Sequence, residues 1–236
     1  NIPLQVVLTT TQKTPGAKVT ASDLPEGWVS TGEHNGSGAG DDGTVNGISA
    51  VIPALSSTGN VNNVNFGIDR VPVADNKLYE VGSGVFTNAE PQEGFPVVSG
   101  YQGIPMASGD LKLSGNPSVN GSLSSSDAED CVAAGSCNGN TGGTGATFTI
   151  ETINANTKLY YDFGPGNGGV MEITPGMSIP NFDVTKMVIY GELGSGTTGD
   201  EIGFTYTMTD AAGVKSSPAT YQIRTNAPLP INLLSF

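Results

Sequence analysis

The sequence comprises 236 residues, of which 34 are glycine, 15 are proline and 13% are charged. This composition leaves little material for helices, so we expect an all-β protein with very little helix. The formal net charge of −13, with 9 Lys and Arg residues, excludes a surface that neutralises nucleic acid phosphates. No run of about 18 apolar residues occurs, so we predict no transmembrane segment.

The first predicted unit opens with a strand in residues 1–10, where side chains alternate with the period of a β-strand. Two further strands are predicted at 48–55 and 61–68. Trp28 is the single tryptophan, and we expect it to fill the core of this small unit. A proline-containing, linker-like stretch follows, so we place a domain boundary near residue 70.

A glycine-rich loop is predicted at residues 31–46. Asp41, Asp42 and Asn46 offer closely spaced oxygen atoms, which suit calcium. Asp-Asp-Gly is equally a common turn, so both interpretations stay open. We expect His34, in the same loop, to be solvated.

The clearest element of the sequence is a hairpin in residues 202–223. Its first strand alternates apolar residues with small or polar ones, residues 210–213 supply a turn, and Tyr221 and Ile223 continue the alternation on the return strand. A second sheet has to cover the apolar face, so the hairpin predicts a β-sandwich. The residues predicted to face that core are Ile202, Phe204, Tyr206 and Met208.

One loop combines acidic residues with the two cysteines of the sequence. Asp127, Glu129 and Asp130 precede Cys131 and Cys137, which are spaced to close a small ring. We predict a disulfide between the two cysteines, with two free thiols as the alternative. The three acids could in principle include a carboxylate pair for glycoside hydrolysis, but no aromatic platform accompanies them.

Residues 227–236, APLPINLLSF, follow the hairpin. Their two prolines favour an extended tail or an edge strand. Ile231, Leu233 and Leu234 are too apolar to remain in water, so we expect this segment to have a partner.

Several stretches resemble known extracellular domains. LPEGWVSTGEHNGSGAGDDGTVNGI and VNNVNFGIDRVPVAD resemble the end of a B-repeat-type, transthyretin-like β-sandwich of secreted Bacteroidetes proteins. SDAED, LYYDF, IPNF and FTYTMTDAAGVKSSPATYQI resemble the immunoglobulin- or cadherin-like domain that commonly follows it, and APLPINLLSF resembles the junction before the sorting region of type IX secretion substrates. The resemblance implies two β-sandwich units followed by a tail. They are a B-repeat-like unit at 1–70 that lacks its first strands, an immunoglobulin/cadherin-like unit at 71–226, and an apolar tail or donor strand at 227–236.

The resemblance also implies a calcium site, because cadherin-like domains bind calcium through such an acidic motif near one pole. The implied ligands are Asp127, Glu129, Asp130 and Asp210. Asp41 and Asp42 are weaker candidates, on the oxygen spacing of their own loop. A solvated acidic loop is the alternative, and no cofactor other than calcium is expected.

No enzyme activity is expected. The sequence has 1 histidine and lacks Gly-x-Ser-x-Gly, His-Glu-x-x-His and phosphate-loop motifs. The resemblance implies an extracellular or cell-surface protein, and three functions stay open: a fibre or sheath subunit assembled by strand exchange, a stalk or adhesion module of a large adhesin, and a carbohydrate-binding module. We favour the fibre.

Assembly is expected to occur with other copies or with neighbouring domains of the same chain, since a unit without its first strands has an open sheet edge. No signal peptide precedes Asn1, so we expect either a processed product or an excerpt of a longer chain. The predicted assembly residues are Ile2, Leu4, Val6, Leu8, Ile231, Leu233, Leu234 and Phe236.

Overall fold

The fold is all-β, as the composition predicts. The computed structural model describes residues 3–20, 22–35, 43–52, 59–82, 92–108, 111–113, 121–127, 147–193 and 201–225. The helical content of these ranges is a single 3-10 turn at Val184–Lys186. The chain divides into two compact units, Asn1–Val71 with Ala212–Val214, and Pro72–Ala211 with Lys215–Phe236. The division after Val71 lies one residue from the predicted boundary. The resemblance of each unit to a known family stays a prediction.

The first unit contains one regular sheet in its described residues. Strands β1 (Trp28–Asn35) and β2 (Val64–Arg70) pair antiparallel, with a bulge in β1 near Gly32. Isolated antiparallel bridges join Leu4 to Ile52 and Val7 to Ile48. In the described residues 3–10 and 48–52, isolated bridges therefore take the place of the continuous strands predicted at 1–10 and 48–55. One reason is that the hydroxyl of Ser49, rather than a carbonyl, accepts from the Val6 N–H at 3.0 Å.

Trp28 does not fill a core, contrary to expectation. It is half-buried at the start of β1, opposite Arg70 of β2. The Arg70 guanidinium lies 5.8 Å from the ring centroid, at cation–π distance. The ring therefore packs under a charged side chain at the surface of the first unit.

The second unit is a sandwich of two sheets with a small additional pair of strands. The strands are β3 (Val73–Ala74), β4 (Lys77–Val81), β5 (Tyr101–Pro105), β6 (Lys112–Leu113), β7 (Ser125–Ser126), β8 (Thr147–Ile153), β9 (Thr157–Asp162), β10 (Val170–Ile173), β11 (Ser178–Pro180), β12 (Met187–Glu192), β13 (Ile202–Thr209) and β14 (Ala219–Thr225). The four-stranded sheet has the order β10-β9-β12-β5, the six-stranded sheet has the order β11-β8-β13-β14-β4-β6, and β3 and β7 form the small pair. All pairings in the two large sheets are antiparallel except β14 with β4.

The core lies between these two sheets, and the predicted hairpin is its centre. Strands β13 and β14 pair from Ile202 opposite Ile223 to Tyr206 opposite Ala219. The four residues predicted to face the core are each at most 2% exposed. The opposite face of β13 is more buried than alternation predicts. Thr207 on that face is buried, and its hydroxyl donates to the Glu151 carboxylate at 2.7 Å.

Two buried tyrosine hydroxyls connect the hairpin to irregular backbone. Tyr221 donates to the Gly121 carbonyl at 2.6 Å, and Tyr206 donates to the carbonyls of Ser124, at 3.1 Å, and Asp75. Burial raises the pKa of both phenols well above the usual range, so both remain donors. Position 121 requires glycine, because the Cβ of any other residue would lie 2.5 Å from a backbone oxygen and 2.8 Å from the Tyr221 hydroxyl.

Removing these hydroxyls tests whether they hold the sandwich together. We expect Tyr206→Phe and Tyr221→Phe each to lower the free energy of unfolding by about 1–3 kcal/mol, because a buried carbonyl loses its donor. Tyr160→Phe is the matched control, since its hydroxyl bonds to Glu172 near the surface and its loss should cost less than about 0.5 kcal/mol. Urea denaturation measures all three; equal losses would show that the buried hydroxyls have no special role.

Candidate functional site

Two of the predicted calcium ligands lie in the described part of the second unit, and both are buried. Asp127 is 2% exposed and Asp210 is 5% exposed. Asp127 follows β7 and continues its alternation, since Ser125 is buried and Ser126 is exposed. Asp210 follows β13 in the same way, two residues after the buried Met208. Both carboxylates therefore point toward the inside of the unit.

Strand pairing places these two carboxylates at the same pole. Val73 pairs with Ser126 on one side and with Ser217 on the other. The Ser216 N–H donates to the Met208 carbonyl at 2.8 Å, which connects this segment to the end of β13. From these pairings β7 and β13 run in the same direction, so the residues that follow each strand come to one end.

A third carboxylate, that of the half-buried Asp75, contacts the segment that leads into β7. The Ser124 hydroxyl donates to the carboxylate of Asp75, and the Asp75 N–H donates to the Ser124 carbonyl at 3.0 Å. Burial lowers the pKa of Lys77, and the charge of the nearby Asp75 opposes this effect. The sequence did not single out Asp75, because its role depends on a partner 49 positions away.

Whether this pole binds calcium stays a prediction. Among the residues that the structure describes, no three His, Cys, Asp or Glu side chains form a group that could hold a metal ion. The remaining members of the predicted site lie outside those residues. They are Glu129, Asp130, Asp41 and Asp42, and the same is true of Cys131 and Cys137.

The first unit contains a buried carboxylate that the sequence did not indicate. Glu33 is 3% exposed, and its Oε1 accepts from the Ser30 hydroxyl at 2.7 Å, from the Asn46 N–H at 3.1 Å and from the Gly47 N–H. Its Oε2 is buried without a hydrogen-bond partner among the described residues. Glu33 thus connects β1 to the segment that pairs with Leu4, a role that no motif or spacing signals.

Glycine is required at position 47 for two reasons. Its φ of +72° is a conformation that side chains rarely adopt, and a Cβ would lie 2.5 Å from the Cβ of Ser22. The Ser22 hydroxyl donates to the Asn46 carbonyl at 2.8 Å on the other side of the same turn. The turn at 46–47 is therefore constrained by both neighbours.

An open cavity of about 330 Å³ lies against the β1–β2 pair. His34 lines it from β1, so the prediction that His34 belongs to a loop is wrong: β1 extends to Asn35 because β2 pairs with it that far. The lining residues are Thr31, Gly32, Glu33, His34, Asn65, Phe66 and Gly67.

The outer face of the four-stranded sheet carries three tyrosines. Tyr101 and Tyr160 are half-buried, whereas Tyr190 is 2% exposed and its hydroxyl donates to the Pro96 carbonyl at 2.8 Å. Lys158 lies 5.7 Å from the Tyr101 ring centroid and pairs with Glu172 at 3.3 Å. The carbohydrate-binding hypothesis, which requires three exposed rings, stays a prediction.

The predicted assembly residues divide between described and undescribed parts of the chain. Leu4 and Val6 are 47% and 40% exposed, and Leu8 is half-buried. The others lie outside the residues that the structure describes. They are Ile2, Ile231, Leu233, Leu234 and Phe236.

Comparisons with family models, with curated proteins and with solved structures find no match for this chain. In the described residues, no helix is long and apolar enough to cross a membrane. The function therefore has to be argued from the geometry alone.

The calcium prediction is tested by thermal unfolding. If the pole binds calcium, saturating Ca²⁺ at about 100 times the dissociation constant should stabilise the chain by about 2.7 kcal/mol, and EDTA should reverse the effect. Asp127→Asn and Asp210→Asn should abolish the shift, whereas the exposed Glu93→Gln should leave it unchanged. An unfolding temperature that is the same in EDTA and Ca²⁺ would end the calcium hypothesis.

The Glu33 contact is tested by Glu33→Gln. The amide keeps the shape of the side chain but loses the charge that strengthens three hydrogen bonds, so we expect the first unit to lose about 1–3 kcal/mol. Hydrogen exchange at the Asn46 and Gly47 amides should accelerate correspondingly, while the exposed Glu26→Gln should leave both rates unchanged. Unaltered exchange in Glu33→Gln would show that Glu33 does not hold the turn.

Proposed function

We propose that the protein is a non-enzymatic structural subunit, located outside the cell or at its surface, that assembles with other copies through its first unit. The supporting observation is the distribution of apolar burial. Among the described residues, Ile52 is the one buried apolar side chain of the first unit, and all the others belong to the second unit. A unit without a core gains little free energy from folding alone.

Exposed apolar side chains accompany this deficit. Single exposed apolar residues are ordinary in monomers, but here they outnumber the buried ones within one unit. The exposed set of the first unit comprises Leu4 47%, Val6 40%, Val45 53%, Val51 58% and Ile68 46%. A surface of this kind is typical of a face that another chain covers.

Part of this surface is continuous along one segment. Leu4 and Val6 are two residues apart in an extended segment, so both side chains lie on the same side. Ile52 pairs with Leu4, so the side chain of its neighbour Val51 points to the opposite face. A partner strand or sheet that covers Leu4 and Val6 would add apolar burial to a unit in which Ile52 is the one buried apolar side chain among the described residues.

Strand exchange is the mode of assembly that fits these features. The only regular sheet of the first unit has two strands in its described residues, and an isolated pair of that size is marginally stable in water. A strand supplied by another chain adds backbone hydrogen bonds and covers the apolar face at the same time. The net charge of −13 on every copy opposes association, so assembly should strengthen with salt.

The proposal is tested by placing charge on the exposed face. We expect the chain to form polymers in sedimentation velocity runs, and Leu4→Lys with Val6→Lys to yield monomers, because each buried aliphatic side chain contributes about 1.5–3 kcal/mol. Val97→Lys is the matched control, since Val97 is 71% exposed in the second unit.

Two outcomes would contradict the proposal. The chain could stay monomeric at 0.05–0.5 M salt, on the order of the range over which surface charge is screened. Alternatively, the double variant could assemble as well as the control. A monomeric chain would favour the stalk or adhesion module, in which neighbouring domains cover the same face.

A further inference from the structure

The extended segment of residues 3–9 is bonded along one edge. Leu4 exchanges backbone hydrogen bonds with Ile52 at 3.0 and 2.8 Å, and the Leu8 N–H donates to the Gly47 carbonyl at 2.9 Å. Neighbouring residues of an extended chain direct their backbone groups to opposite sides. The even-numbered residues of this segment therefore direct theirs toward the chain with which it pairs.

The odd-numbered Gln5 and Val7 direct their backbone groups to the other side. Val7 lies opposite Ile48, but the two hydrogen bonds of that bridge belong to its neighbours Val6 and Leu8. Within the described ranges, the N–H and carbonyl groups of Gln5 and Val7 make no hydrogen bond. We call the outward groups of these two residues the segment edge.

Strand β10 has a corresponding edge in the second unit. It lies at one side of the four-stranded sheet and contains no proline. The Phe163 N–H donates to the Gly169 carbonyl at 2.9 Å, so Gly169 and Met171 direct their backbone groups toward β9. Val170 and Glu172 direct theirs away from the sheet, and among the described residues these groups have no hydrogen-bond partner. We call them the β10 edge.

The other described edge strands of the second unit are less open. In β5, the Gly103 carbonyl accepts from the Gln92 side chain at 3.0 Å, and Pro105 has no N–H. Strand β11 ends in Pro180, and β3, β6 and β7 span 2 residues each. Short length and proline both limit pairing at an edge. Among the described strands of this unit, β10 is therefore best suited to accept another strand.

The segment edge and the β10 edge match in antiparallel pairing. Each has two outward residues separated by one residue that points inward, so a single register uses all four. In that register Val7 lies opposite Val170 of a second copy, and Gln5 lies opposite Glu172 of that copy. Each of these pairs can exchange two backbone hydrogen bonds, as in an antiparallel ladder.

The same register brings exposed apolar side chains together. Val6 comes to lie opposite Met171, and the two side chains are 40% and 39% exposed before the contact forms. Leu4, which is 47% exposed, comes next to the rim of the core at Ile173. Apolar pairs on one face stabilise adjacent strands. One contact thus covers side chains that each copy by itself leaves in water.

Charge also favours this partner. Residues 2–12 contain no charged side chain, although the chain has a net charge of −13. Strand β10 contains Glu172, which pairs with Lys158 on the same sheet. Like charges opposite each other destabilise paired strands, and an uncharged segment avoids that cost. The segment edge is therefore suited to an acidic partner such as a second copy of this chain.

We propose that the segment edge of one copy pairs antiparallel with the β10 edge of a second copy. This inference rests on the proposed function and identifies the surface of the second copy that meets the first unit. Because the contact joins two different surfaces, a copy at the end of an assembly keeps one of them open. Assembly can therefore continue from copy to copy.

Two pairs of substitutions separate the backbone edges from the side chains. Gln5→Pro and Glu172→Pro each remove one outward N–H, which an edge strand tolerates. Gln5→Ala and Glu172→Ala lose the same side-chain contacts but keep the N–H, so they are the matched controls. In sedimentation velocity, we expect each proline variant to weaken assembly roughly 100-fold and each alanine variant less than about 10-fold.

Mixing the two proline variants tests whether the two edges meet. Gln5→Pro keeps the β10 edge intact, and Glu172→Pro keeps the segment edge intact. We expect each variant alone to be monomeric and a 1:1 mixture to stop at dimers, because a dimer uses the one intact edge of each copy. Circular dichroism spectra that match those of the unaltered chain confirm that both variants fold.

Hydrogen exchange of the unaltered chain gives a measurement without substitutions. On assembly, the amides of Gln5, Val7, Val170 and Glu172 should exchange more slowly, because each gains a backbone acceptor. The Met171 amide is directed toward β9 and should exchange slowly in both states. Unchanged rates at Val170 and Glu172 in the assembled chain would overturn the inference.

The outcomes distinguish this inference from the proposed function. If the unaltered chain assembles and Glu172→Pro assembles as well as Glu172→Ala, β10 is not the acceptor, and the proposed function stands without this contact. If both proline variants are monomeric but their mixture forms no dimers, the two edges do not meet. If the unaltered chain does not assemble, both proposals fail.

Discussion

The second unit depends on hydrogen bonds from tyrosine hydroxyls to backbone carbonyls that are buried outside its strands. The segment from Gly121 to Ser124 is buried but belongs to no strand. The Ser124 carbonyl accepts from the Asp75 N–H and from the Tyr206 hydroxyl, and the Gly121 carbonyl accepts from the Tyr221 hydroxyl. The hairpin thus supplies donors to irregular chain that packs against it, which lowers the energetic cost of burying those carbonyls.

The two units differ in how much of their stability comes from their own apolar contacts. The second unit buries a large apolar cluster between its two sheets, so its own apolar contacts contribute to its free energy of folding. The first unit depends on polar contacts, chiefly those of Glu33 with the turn at 46–47, and leaves apolar side chains such as Leu4 exposed. Charged or polar contacts can fix a geometry, but they replace little of the hydrophobic free energy that a missing core would provide.

Alternation predicted the elements whose signal is local. The hairpin of β13 and β14 could be recognised because its period of two reflects one buried face. The roles of Glu33 and Asp75 could not, since each depends on a partner that the fold brings from a distant position. Trp28 was misplaced for a related reason: its size predicts burial, but among the described residues of the first unit Ile52 is the one buried apolar side chain. The burial of Asp127 and Asp210 at one pole followed from strand pairing, which periodicity does not encode.

The parallel pairing of β14 with β4 has a consequence for how the chain acquires its structure. It joins residues 77–81 to residues 221–225, and the Thr220 N–H donates to the Asn76 side chain across 144 positions. During synthesis β4 is made long before β14, the longer of the two strands that pair with it. Contacts of such sequence separation make folding slow, because a long loop must close before they form. Until then an apolar strand stays available to wrong partners, so the nascent chain is expected to need protection by chaperones.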